Sequence, residues 1–236
     1  METALLAFGD DGWGDELALG FLITIALAIT SYLIGTLIGL GLAVVGIGGN
    51  RLLRAVTGGY GVIFRSVPEL LVLFLVYFGA SIALTNLLKL FGLEITVSLN
   101  TFTAGVVALS MVHAAYSAEV FIGALRSVPT GLIEAASALG LSRRVAFFKV
   151  TLPVALRFAF PGLMNLWMVM IKNTPLVSAI GLPDLIGQAS TAGENTKAYF
   201  LFFFVALAIY LCVSALSMVL QENGKRRLFR HLPDAG

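Results

Sequence analysis

Residues 17–50 read LALGFLITIALAITSYLIGTLIGLGLAVVGIGGN, thirty-four positions without one Asp, Glu, Lys or Arg. A hydrocarbon layer about 30 Å thick takes roughly 20 apolar helical residues to cross, and a charge at its centre costs about 2.5–3.5 kcal/mol on insertion scales. So long an uncharged stretch reads as a membrane span. Working outward, Ile95 to Ala118 and Ala198 to Gln221 are equally free of charge, as is Leu70 to Leu88. The last of these is expected to begin its helix a turn or two earlier, near Arg65 and Pro68. Between Phe158 and Ile171 the chain offers only fourteen uncharged residues before Lys172. If this segment crosses, Arg157 must sit near one interface and Lys172 must lie inside the protein rather than in lipid. The expectation is an all-α, polytopic helix bundle in one domain, 1–236, with five spans near 17–46, 65–88, 96–125, 151–177 and 198–221.

Composition points the same way. Of 236 residues, 58% are hydrophobic and 12% charged, and the mean hydropathy is +0.96; soluble domains carry about 25% charge. Too few charges are present to cover a soluble globule of this size. A net charge of +2 without any run of five like charges gives no basis for nucleic-acid binding. The single cysteine, Cys212, excludes an internal disulfide and a cysteine metal cluster. With two histidines, His113 and His231, a three-histidine metal site is impossible, and neither H-E-x-x-H nor G-x-S-x-G occurs. An intramembrane enzyme is therefore disfavoured.

Lysine and arginine set the orientation. With the amino terminus outside, the cytoplasmic side receives Arg51, Arg54, Arg65, Arg126, Arg143, Arg144, Lys149, Lys225, Arg226, Arg227 and Arg230, and the outside only Lys89 and Lys197. The amino-terminal segment carries Asp10, Asp11, Asp15 and Glu16 and lacks a basic leader, so the first span is expected to be retained.

The longest cytoplasmic segment, residues 127–145, reads SVPTGLIEAASALGLSRRV. Pro129 suits the start of a short helix near 130–140, Gly140 suits a left-handed residue just past its end, and Ser142 suits the cap of the next helix. Gly131, Ala135 and Ala138 share one narrow stripe beside Glu134. Such a face fits a groove of another protein, or equally the bilayer surface.

Inside the spans, Lys172 precedes Asn173-Thr174-Pro175, where proline removes a donor and disturbs the helix. That break with a nearby ammonium can hold a carboxylate, or Lys172 can reach an interface or an acid on another helix. Glu119 lies three residues after Tyr116, and its carboxylate can meet a cationic substrate or pair with Arg126 or Arg65. His113 shares a stripe with Ser110 and Ser117 and reads as an interhelical hydrogen-bonding residue. Tyr116 can line a pathway or simply pack, and the aromatic run from Tyr199 to Phe204 reads as a lipid-facing belt.

Glu134-Ala135-Ala136, then Gly140, then Leu152-Pro153 resemble the EAA motif of bacterial ABC-importer permease subunits. The resemblance extends through Arg65-Ser-Val-Pro, Ala115-Tyr116-Ser-Ala-Glu119 and Lys172-Asn-Thr-Pro-Leu-Val-Ser to the polar amino acid permeases. Gly181-Leu-Pro-Asp-Leu is similar to the subgroup for histidine, lysine, arginine, ornithine and opines. It implies a type I importer in the bacterial inner membrane: two permeases, identical or homologous, two cytoplasmic ATP-binding subunits and an extracytoplasmic solute-binding protein. The 130–140 helix would be the coupling helix, with Glu134, Ala135, Ala136, Gly140 and Ser142 at the ATPase contact. Tyr116, Glu119, Lys172, Asn173 and Thr174 would line the substrate pathway. Many family members carry an arginine where this chain has Ile122, so an ion pair of that arginine is not expected here. No G-x-x-x-x-G-K-[ST] exists, so the chain is expected to need no cofactor and to draw its energy from a partner. A self-contained channel or secondary transporter is the alternative reading, for which five spans without an inverted repeat are few.

Overall fold

The computed structural model describes residues 5–9, 12–93 and 99–229; Asp10, Asp11, the start of the third span at 96–98, Arg230 and His231 lie outside the described residues. Among the described residues there is no strand. Helix α1 spans Gly14–Gly48, α2 Arg51–Ser66, α3 Glu69–Leu90, α4 Thr101–Arg126, α5 Thr130–Ala138, α6 Arg143–Ile180, α7 Leu185–Thr196 and α8 Tyr199–Phe229. Helices α1, α3, α4, α6 and α8 are long and apolar enough to cross a membrane.

The central helix is α4, most of whose apolar stretch is buried, and the most peripheral is α8, which buries almost none. Helix α1 runs beside α4 in the same direction. Leu27 meets Gly105, the Ser110 hydroxyl donates to the Ser31 carbonyl at 3.2 Å, and the Ser117 hydroxyl donates to the Gly35 carbonyl at 3.2 Å. Close approach here rests on glycine. A Cβ at Gly35 would lie 2.8 Å from His113 Cδ2, and one at Gly39 would run into Ser117 Oγ. Between membrane helices the driving force is van der Waals contact and interhelical hydrogen bonding, for which small residues open the way.

Sequence reasoning does not separate α2 from the second span. Asn50 caps α2, its side chain accepting from the Leu53 N–H at 2.9 Å. Rather than continuing into α3, the chain becomes extended at Val67 and Pro68, with ψ 134° and 133°. The cause is local: Pro68 has no N–H and pushes the preceding residue out of helical geometry. The second apolar helix thus starts at Glu69, and Arg65 belongs to the helix before it. Helix α2 returns along the lower half of α4, where the Tyr60 hydroxyl donates to the Met111 carbonyl at 2.7 Å.

Helix α6 is irregular at both ends. A widened π turn occupies Phe147–Thr151 just before Pro153, which lacks the N–H that would bond the Lys149 carbonyl, and a tightened 3₁₀ turn occupies Thr174–Ile180 around Pro175. Gly181 closes it in the left-handed region at φ +83°. Asp184 then caps α7, which packs on α1 and α8 through Leu17, Leu185, Ala189, Ala192, Phe202 and Ala206. Phe202 is fully buried, unlike its exposed neighbours Tyr199, Phe200, Phe203 and Phe204, so the aromatic belt has one residue turned inward.

Candidate functional site

Two helix interruptions meet at mid-bundle. The first turn of α3 brings Glu69 to the end of the regular part of α6, where it shares a niche with Asn173. Leu109, Val112, His113, Tyr116 and Met170 complete a niche of about 20 Å³ around the pair, room for about one water. His113 Nε2 lies 2.9 Å from Thr36 Oγ1 of α1, and its ring packs against Tyr32 at 4.7 Å. Tyr32 in turn stands edge-on to Trp167 at 5.3 Å and donates to the Leu163 carbonyl at 3.0 Å. The stripe of Ser110, His113 and Ser117 thus bonds across to α1, as its spacing predicts.

Tyr116 and Asn173 come together in this niche, but the other candidate pathway residues stand apart from it. Thr174 is fully buried; its hydroxyl donates to the Ile171 carbonyl at 2.8 Å and lies 3.3 Å from Tyr210 Oη. Lys172, expected inside the protein, is exposed on the single chain. Ile171 and Thr174 occupy the inward face of α6, and the helical turn between them aims Lys172 away. Glu69 escapes sequence reasoning because it borders an apolar stretch and passes for a boundary residue. The available signal was its position directly after Val67-Pro68, since an acid at the first turn after a break belongs to a new helix N-terminus.

Glu119 faces a different space. Its Oε1 pairs with Arg65 Nη2 at 3.0 Å, and Arg65 Nε donates to the Gly61 carbonyl at 2.9 Å. Arg54, Thr57, Tyr60 and Arg126 join Glu119 around a cavity of about 310 Å³ between α2 and α4. Of the two arginines expected as structural partners, Arg65 makes the bond.

The loop helix α5 is fixed by its ends. Leu141 N–H donates to the Ala136 carbonyl at 3.1 Å and Gly140 N–H to the Ser137 carbonyl at 3.0 Å, with Gly140 at φ +72°, a Schellman closure. Ser142 accepts from the Val145 N–H at 3.5 Å. Ala136 is buried against the bundle, while Glu134, Ala135 and Gly140 are exposed. The helix therefore presents its acid and small-residue stripe outward.

At the opposite end of the bundle Asp184 is fully buried. Its Oδ1 accepts from the Gly187 N–H at 2.9 Å, but its Oδ2 has no partner. Burial pushes this carboxyl up to about 6 against the pull of the backbone N–H groups.

Residues 35–230 match the family described as binding-protein-dependent transport system inner membrane component. The octopine transport system permease protein OccQ of Rhizobium radiobacter is 36% identical over 230 residues, covering 98% of this chain and 97% of the relative. The histidine/lysine/arginine/ornithine transport system permease protein HisQ of Escherichia coli K12 is 36% identical over 210 residues, covering 87% and 90%. A crystal structure of an amino acid ABC transporter with histidines superposes with a TM-score of 0.77 at 31% identity, covering 91% of this chain and 95% of that one.

Proposed function

The chain belongs to the binding-protein-dependent transport system inner membrane components, and on that premise we propose that it is the permease of an ATP-driven importer for polar amino acids, basic ones or opines. The substrate class is carried by its similarity to the octopine and histidine/lysine/arginine/ornithine permeases. Two ATP-binding subunits, a second permease and an extracytoplasmic solute-binding protein complete the assembly. The amino terminus lies outside and the carboxy terminus in the cytoplasm, in keeping with the arginine-rich end at Arg51, Arg54, Arg126, Arg143 and Arg144.

The observation that carries the coupling role is the outward-facing α5, closed at Gly140 and followed by the Ser142 cap. Glu134 and Ala135 seat it in the ATPase; Ala136, expected at that contact, is buried against the bundle and anchors the helix to this chain instead. ATP is hydrolysed in the partner, and this chain passes the resulting movement to its spans. Glu134→Lys reverses the acid of α5, and Gly140→Val forces a β-branched residue into the left-handed region. Both variants should reach the membrane yet lose most substrate-driven ATP hydrolysis in reconstituted complexes. Normal coupling in both would end this assignment.

The pathway runs past the Glu69–Asn173–Tyr116 niche. Lys172, exposed on the lone chain, holds the substrate carboxylate, and Glu119 receives the side-chain cation lower down once Arg65 releases it. Lys172→Met should then weaken transport of every amino acid, whereas Glu119→Gln should selectively lose cationic ones. Equal loss of neutral and cationic substrates in Glu119→Gln would leave that carboxylate as the structural partner of Arg65.

A further inference from the structure

The arginine-rich end of the bundle carries a groove that none of the transport roles uses. One cavity of about 510 Å³ lies between the ends of α1 and α4, helix α5 and the start of α6, walled by Val44, Ile47, Leu125, Ile133 and Leu141. A second, of about 610 Å³, opens outward past Val45, Leu53 and Phe148. Val44, Gly48, Arg143 and Phe147 line both, so the two are one continuous trough. Its walls are mostly aliphatic and aromatic, with the hydroxyl residues Ser137 and Thr151 among them, and its charged residues are Arg126, Arg143 and Arg144.

Among the described residues no acid forms an ion pair with these arginines: the ion pairs are Arg65 with Glu119 and Arg226 with Glu222. Three guanidinium groups over an apolar floor at a membrane-level helix end match one kind of occupant. Apolar walls accept acyl chains, and unpaired arginines attract the phosphate of a lipid headgroup through charge-assisted, forked hydrogen bonds. A protein segment would have to bring both a long apolar side and an acid cluster; an anionic phospholipid supplies both in one molecule. We propose that this trough is a binding site for an anionic phospholipid, its phosphate on Arg143, Arg144 and Arg126 and its acyl chains along Val44, Ile47 and Phe147.

The test uses the intact importer in nanodiscs containing phosphatidylglycerol and phosphatidylcholine, with retained lipid counted by native mass spectrometry. The complex should keep phosphatidylglycerol in preference. Arg143→Gln with Arg144→Gln should reduce that preference by roughly tenfold or more, and the double lysine variant should restore most of it. Gly48→Leu keeps every charge and fills the trough; a Cβ there meets no atom within 4 Å, so the fold should tolerate it. It should lose bound lipid while the ATPase subunits still co-purify. On the unaltered complex, a phosphatidylglycerol bearing a photoreactive acyl chain should label residues 44–53 or 141–148. Labelling elsewhere, an unchanged lipid preference in the glutamine and leucine variants, or loss of the ATPase subunits with lipid retained would each overturn the proposal, the last by making the trough a protein contact.

Discussion

Asp184 shows how one buried group writes a pH dependence into the fold. Its folded value, about 6, stands above its ordinary 3.8. A carboxyl raised by folding contributes stability that is fully present below the ordinary value and disappears as pH rises through the folded one. Wild-type protein should therefore lose about 2.5 kcal/mol between pH 4 and pH 7.5 from this residue, with Tyr210 of α8 a titratable side chain in electrostatic reach of it. Asp184→Asn retains an oxygen for the Gly187 N–H and abolishes the titration, so thermal unfolding followed across that range should flatten. A wild-type profile as flat as the variant's would show that water reaches Oδ2. By contrast, the Arg65–Glu119 pair is half exposed and should be worth no more than about 1 kcal/mol, so Glu119→Gln should fold normally. At this scale the sequence was partly legible. Residues whose neighbours lie on the same helix, such as Gly140 and Ser142, announce their conformations. Glu69, Asp184 and Thr174 do not, because their surroundings come from helices far away in the chain.

Among elements, the α1–α4 contact is the tightest test of packing. Gly39→Val would drive a branched side chain into Ser117 and the Ala114 backbone, and should cost about 1–3 kcal/mol. Gly41→Ala, with nothing within 4 Å, should be silent. Detergent unfolding midpoints of the two variants compare them directly, and equal midpoints would mean that α1 and α4 do not meet along this seam. The apolar helices follow from absence of charge alone, since membrane insertion cost depends on side chains rather than partners. Helix α2 was missed for the opposite reason. Its arginines at positions 51, 54 and 65 suggest a loop, and only α4 beside it gives Arg65 an acid and Tyr60 a carbonyl. The ends of α5 are legible in the sequence because proline precedes it and glycine and serine follow it.

For the whole molecule, topology is the property most open to test. A reporter active only in the cytoplasm should work when fused after Arg144 or Arg230 and fail after Lys89 or Glu194; activity after Lys89 would refute the five-span arrangement. The bundle order, with α4 central and α8 peripheral, could not be read from hydropathy, which scores both alike as membrane helices while their burial differs widely. The same arrangement has a consequence in time. About 50 residues separate the end of α1 from the start of α4, roughly 3–10 s of synthesis at bacterial rates, during which α1 waits in the bilayer without the helix it packs against. Thr24 and Thr30 can meanwhile donate to the Gly20 and Ala26 carbonyls of their own helix. Thr36 meets its interhelical partner, His113, only when α4 arrives. The nascent α1 thus emerges with the Thr36 and Tyr32 hydroxyls short of their final partners, His113 of α4 and the Leu163 carbonyl of α6, and a pause placed before residue 101 would prolong that state.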